Sequence, residues 1–144
     1  MTKVHFICTG NIYRSRLGET YLNSKKIPEV IVNSSGIKAG EEIDDAIGWY
    51  SLEIIKENHL EEFMAPTWQK TTLELLKNVD IIIFMTKLHY DFVTQTLGYI
   101  PKKYEIWEIK DITAQEIDSI KKETRDTFSK IKAKVDSLAI SLSK

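Results

Sequence analysis

The stretch Val4-His5-Phe6-Ile7-Cys8-Thr9-Gly10-Asn11-Ile12-Tyr13-Arg14-Ser15 constrains this chain more than any other. It opens on a short apolar run rich in β-branched and aromatic side chains, which predicts a buried strand, and the chain's only cysteine, Cys8, closes that run. Gly10 and Asn11 follow, the residue types that most readily accept positive φ, so the backbone can curl there. Ser15 is placed to cap a helix running through Arg16-Leu17-Gly18-Glu19-Thr20-Tyr21-Leu22, with Leu17, Tyr21 and Leu22 on one face. A strand, a tight loop and a helix N-terminus gather backbone N–H groups around one point and aim a helix dipole at it, which makes an anion site.

Cys8 and Arg14 bracket the loop. A thiolate is the reactive form of cysteine, and the positive field of a helix N-terminus and of Arg14 favours it. The intervening residues Thr9, Gly10, Asn11, Ile12 and Tyr13 are enough to wrap a tetrahedral dianion. Arg14 can then bind two oxygens bidentately while loop amides bind the rest. The Ser15 hydroxyl can donate to the Cys8 sulfur and stabilise its ionised form. Cys8 would attack phosphorus in line, forming a cysteinyl-phosphate that water hydrolyses. The competing reading is an inert buried cysteine at a strand end, since free Cys commonly behaves as a small hydrophobe.

The rest of the chain alternates strands and helices. Glu29–Gly36 reads as a second strand ending in a turn, which with the first strand and helix makes a βαβ unit and parallel pairing. Residues 37–48 read as a solvated acidic helix start; Glu41, Glu42, Asp44 and Asp45 would favour basic peptides only if they line the rim of a site. Trp49–His59 reads as a helix, with Leu52, Ile55 and Trp49 on its apolar stripe, and a short helix is expected around Thr72–Lys77. Val79–Met85 is apolar without alternation, as in a central parallel strand. Thr86 then caps a further helix. Glu105–Ile109 is the last strand, followed by Lys110-Asp111-Ile112-Thr113. From Glu116 to about Leu142 one long amphipathic helix carries Ile117, Ile120, Thr124, Phe128, Ile131, Val135, Leu138 and Leu142 at three- or four-residue steps.

The net charge of −1 gives no electrostatic reason to expect nucleic acid or a membrane as partner. A single cysteine excludes an internal disulfide framework and suits a reducing compartment. With no leader-like segment and no apolar run long enough to span a bilayer, the chain reads as cytoplasmic and as one domain over residues 1–144. His5, His59 and His89 show no metal-ligand spacing with one another or with Cys8, and neither a metal nor another cofactor is expected.

Cys8-Thr9-Gly10-Asn11-Ile12-Tyr13-Arg14-Ser15, with its preceding strand, closely resembles the signature loop of the low-molecular-weight protein tyrosine phosphatases. The resemblance runs over essentially the whole chain. It implies an α/β, flavodoxin-like fold: a four-stranded parallel sheet, order 2-1-3-4, with helices on both faces. It implies metal-independent hydrolysis of phosphotyrosine in a protein, or of another phosphomonoester, with Cys8 as nucleophile. Residues Thr9 to Ser15 would hold the phosphoryl group, or inorganic phosphate or sulfate in its place. Ser34-Ser35-Gly36 resembles the family's Ser-Ala-Gly, which makes Ser34 a support for Asn11; turn chemistry also wants these residues. Asp111 falls where the family has its general acid, opposite Cys8 at the carboxyl ends of the strands. There, however, the family's Asp is followed by Pro, and here Ile112 and Thr113 follow.

Further departures bear on function. Tyr13 stands where many members have a second loop cysteine, so Cys8 has no intramolecular partner against oxidation. The cysteine count also argues against the arsenate reductases of this fold, which relay electrons through additional thiols. Protein-arginine phosphatases of this fold typically carry Thr where this chain has Ile12, which favours phosphotyrosine. Arg16 replaces the usual Pro after Ser15. A phosphate-binding module with weak turnover is the alternative to an enzyme.

Overall fold

The computed structural model describes residues 1–41, 45–112 and 116–144. Four strands, β1 (Thr2–Cys8), β2 (Val30–Gly36), β3 (Ile81–Phe84) and β4 (Tyr104–Ile106), form one parallel sheet in the order β2-β1-β3-β4. The helices are α1 (Arg14–Ser24), α2 (Asp45–Glu57), α3 (Leu73–Leu76), α4 (Lys87–Asp91) and α5 (Ile117–Leu142). A π-helical turn over Phe92–Thr96 continues α4.

Alternation along the central strands builds the two layers of core. Val4, Phe6 and Cys8 of β1, with Ile81, Ile83 and Met85 around β3, share one cluster with Leu17 and Leu22 of α1, Ile54 and Ile55 of α2, and Phe128, Ile131, Val135 and Leu138 of α5. Ile7, Ile82 and Phe84 point the other way, into a cluster with Leu76 of α3 and Val93 beyond α4. Because both faces of β3 are covered, its sequence is apolar without a polar alternate, as in the interior of a parallel sheet. In β1 the buried run Val4–Cys8 is broken only by His5, whose Nε2 lies 2.7 Å from Ser35 Oγ. The Phe6 and Trp107 rings meet edge to face at 5.5 Å.

Local backbone geometry trims several expected elements. β2 starts at Val30, since Glu29 has φ 61°, and β3 is shorter than Val79–Met85. β4 stops at Ile106, because Glu108 at φ 57° interrupts an otherwise extended segment. Even so, the Trp107 and Ile109 amides still bond to the Phe84 and Met85 carbonyls, at 2.9 and 2.7 Å. α2 begins earlier than expected, at Asp45, and His59 at φ 57° lies beyond its end. Trp49 is exposed rather than part of the apolar stripe, with its ring against Tyr50 at 5.0 Å. Glu42, Asp44, Thr113 and the side chains of Asp45 and Ile117, all of which carried expectations, lie outside the described residues.

Gly36 fixes how closely β2 approaches the loop after β1. It pairs with Cys8, and a Cβ there would stand 2.5 Å from the Thr9 carbonyl oxygen and 2.7 Å from the Asn11 nitrogen. Neither neighbour is a flexible side chain. Gly36→Ala is expected to cost about 1–3 kcal/mol, the usual range for overpacking, and to lower turnover by moving the loop. Thermal melts and steady-state rates on the same sample check both.

Candidate active site

The end of β1 and the start of α1 are joined by Thr9–Tyr13. Of the two residues expected to take positive φ, only Asn11 does so, at 58°. That turn brings the Asn11 backbone N–H to the Cys8 sulfur at 3.3 Å. Ser15 is not the cap: α1 begins at Arg14, no side chain among the described residues caps it, and Ser15 sits inside its first turn with Oγ 2.9 Å from the sulfur. The hydroxyl that could have capped the helix is instead committed to Cys8 and Asn11. Cys8 itself is 2% exposed.

The Asn11 side chain holds the curl from three sides. Its Nδ2 donates to Ser15 Oγ and Ser34 Oγ, both at 2.8 Å, and its Oδ1 accepts from the Gln69 backbone N–H at 2.9 Å. The arrangement has a direction. Ser15 Oγ accepts from Asn11 Nδ2, which leaves its own hydroxyl proton available to the Cys8 sulfur. Ser34, also accepting from Asn11, donates to Glu19 Oε1 at 2.8 Å. Glu19 is buried, and burial pushes its carboxyl above the ordinary range, against the Ser34 hydrogen bond and the Arg16 charge, which pull it down.

Arg14 is 2% exposed, and its terminal nitrogens are tied down. Nη1 donates to the Ile109 carbonyl at 2.9 Å and Nη2 to Thr9 Oγ1 at 3.2 Å, while Asp111 Oδ2 lies 3.5 Å from Nη2. Among the described residues, the buried Nε has no hydrogen-bond partner. Asp111 is half exposed at 55%, and its Oδ1 accepts from the Ile112 N–H at 2.9 Å. Thr9 Oγ1 also meets Nε2 of buried His89 at 3.0 Å. Tyr13 is buried too, which pushes its phenol up to about 12.

The geometry thus gathers two sets of side chains at the loop: Cys8, Asn11, Ser15 and Ser34 in one hydrogen-bonded set, and Thr9 bonded to Arg14, with Asp111 ion-paired to Arg14, in another. Gly10 and Ile12 belong to the same loop, Ile12 on the wall of an adjoining cavity of about 250 Å³ that also touches Leu52, Met64 and Pro66. Three contributors escaped the sequence reading: Glu19, Gln69 and His89. Glu19, one helical turn after Ser15, is the one with a visible signal, an acid among the apolar positions of α1. Gln69 contributes a main-chain N–H, which no side-chain pattern reveals. Among the described residues, no group of three or more His, Cys, Asp or Glu could hold a metal ion, and no helix is long and apolar enough to cross a membrane.

Comparison with known proteins bears on this assembly. The model of the low molecular weight phosphotyrosine protein phosphatase family matches residues 3–144. The low molecular weight protein-tyrosine-phosphatase PtpB of Staphylococcus haemolyticus is 33% identical over 107 residues, which are 74% of this chain and 72% of that protein. Vibrio vulnificus Wzb, solved in complex with benzylphosphonate, is 25% identical with a TM-score of 0.72, covering 97% of this chain and 98% of Wzb. The YwlE arginine phosphatase of Geobacillus stearothermophilus shares the fold at a TM-score of 0.75 and 19% identity, over 98% of this chain and 95% of YwlE. A family model matched by all but the first two residues, over a chain with this loop and sheet order, leads to one assignment: the chain belongs to the low molecular weight phosphotyrosine protein phosphatase family.

Proposed function

We propose that this chain hydrolyses phosphotyrosine in proteins, with Cys8 as nucleophile, Arg14 and the loop Thr9–Ser15 as the phosphoryl cradle, and Asp111 as general acid and base. The observation that carries this reading is the buried Arg14 Nε, which among the described residues has no partner, beside an α1 N-terminus that none of them caps with a side chain. A buried guanidinium N–H and free helix amides are costly groups to leave unsatisfied, and a tetrahedral anion satisfies both. The thiolate attacks phosphorus as the bond from phosphorus to the tyrosine oxygen breaks, and the Asp111 carboxyl gives its proton to that oxygen. Asp111, now a carboxylate, takes a proton from water as the water oxygen attacks phosphorus. The S–P bond breaks, releasing inorganic phosphate and restoring the Cys8 thiolate.

Ile12 supports a phenyl ring over a phosphoarginine side chain, because an aliphatic residue at that loop position offers a guanidinium no acceptor. A nucleophile that works as a lone thiol also suits a reducing, cytoplasmic setting. The test compares p-nitrophenyl phosphate, whose nitrophenolate leaves with little help, with a phosphotyrosine peptide, whose phenolate needs a proton. Asp111→Asn is expected to lower turnover of the peptide about 10²–10⁴-fold, the usual worth of a positioned acid, and turnover of p-nitrophenyl phosphate far less. An equal loss on both substrates would remove Asp111 from the role of acid. Wild-type phosphate binding without Cys8-dependent turnover of either substrate would make the chain a binding module.

A further inference from the structure

We propose that His89 is a positioning residue of the reaction, holding Thr9 and through it the Arg14 guanidinium at the phosphoryl site. This rests on the phosphatase reading of the loop. The two ring nitrogens of His89 face different elements. Nδ1 accepts from the Thr86 backbone N–H at 3.1 Å, at the start of α4. A nitrogen that accepts from a main-chain N–H carries no proton, so the proton of the neutral ring is on Nε2. Nε2–H therefore donates to Thr9 Oγ1, 3.0 Å away and one residue past the nucleophile. The same Oγ1 accepts from Arg14 Nη2 at 3.2 Å.

Both acceptor positions of the Thr9 hydroxyl are thus filled, by the imidazole and by the guanidinium, which removes its freedom to rotate. With Nη1 on the Ile109 carbonyl, the guanidinium plane is fixed at both terminal nitrogens, and Nε, which has no partner among the described residues, is left for an anion. Burial, with the Arg14 charge adding to it, pushes the imidazole down to about 3, which keeps the ring neutral, while the Thr86 N–H on Nδ1 sets its tautomer. Capping α4 requires only Nδ1. The link to Thr9, 80 residues away in sequence, is what a cap alone does not explain.

Two substitutions separate the two nitrogens. His89→Asn keeps an acceptor close to where Nδ1 stands, for Thr86, and loses the donor to Thr9. His89→Gln carries an amide N–H out toward the Nε2 position and gives up the acceptor for Thr86. We measure kcat on p-nitrophenyl phosphate, affinity for inorganic phosphate by thermal shift, and the unliganded Tm of each. His89→Asn is expected to melt close to wild type yet lose about tenfold in kcat and to weaken phosphate binding, in keeping with the cost of a loosened positioning contact. His89→Gln is expected to melt lower and to recover most of that kcat and affinity. Full activity of His89→Asn, or losses in both variants that simply follow Tm, would reduce His89 to a helix cap. If wild type itself lacked turnover, the phosphatase reading would fail separately, and phosphate affinity in the same two variants would still decide the role of His89.

Discussion

Cys8→Ser is expected to lower turnover of every phosphomonoester by at least about 10⁴-fold, the scale seen when an enzyme loses its covalent nucleophile. The sulfur receives the Asn11 backbone N–H and lies within hydrogen-bond distance of Ser15 Oγ, an environment made for an anion. Serine leaves both contacts geometrically possible but stays protonated, because its oxygen is a far weaker acid than a thiol. Arg14 and the loop are untouched by the change. Inorganic phosphate should therefore still raise the Tm of Cys8→Ser, while a stopped-flow assay should show no burst of nitrophenolate. Turnover persisting in this variant would place the chemistry elsewhere.

Arg14→Lys is expected to cost about 10²–10³-fold in kcat/KM, the range for removing a preorganised charge-stabilising donor. The substitution keeps the positive charge, so the loss reports geometry. A lysine ammonium is a point charge and cannot at once reach the Ile109 carbonyl, the Thr9 hydroxyl and two oxygens of a phosphoryl group. Inhibition by inorganic phosphate should weaken less than kcat/KM, because the equatorial oxygens of the transition state gain most from a planar, bidentate donor. The variant should also lose about 1–3 kcal/mol of stability from the buried Ile109 carbonyl left without its donor, measurable by urea unfolding. Equal loss in phosphate affinity and in kcat/KM would mean that Arg14 binds both states alike.

Most of the architecture was legible because the sheet interior writes itself plainly. Val4–Cys8, apart from His5, and Ile81–Phe84 are apolar on both faces and end at turns, and the α5 stripe from Ile120 to Leu138 is buried as its spacing requires. What was not legible followed from single residues with φ near 60°, at Glu29, His59 and Glu108, none of them glycine. At His59 the positive φ belongs to a local helix end, where the His59 and Leu60 amides return to the Lys56 and Ile55 carbonyls, and at Glu29 the carbonyl accepts from the distant Thr2 N–H; neither residue type signals such a conformation. Within the site, residues close in sequence were readable, because their spacing alone defines the loop. Ser34 was readable only through a family resemblance. His89 was hidden because its partners are a main-chain N–H at Thr86 and a hydroxyl 80 residues away. The role of Ser15 was half legible: its contact with sulfur was expected, and the helix start at Arg14 was not.

The three-sided hold on Asn11 has a consequence for the catalytic cycle. With its side chain engaged by Ser15, Ser34 and Gln69, the loop has its shape as part of the folded protein. The conformational entropy of ordering a loop residue, about 1–2 kcal/mol for each backbone unit, is therefore lost once, when the chain folds. It is not lost again each time a phosphoester arrives, nor regained when phosphate departs. Product release does not require the cradle to come apart, and every successive turnover begins from the same arrangement of donors.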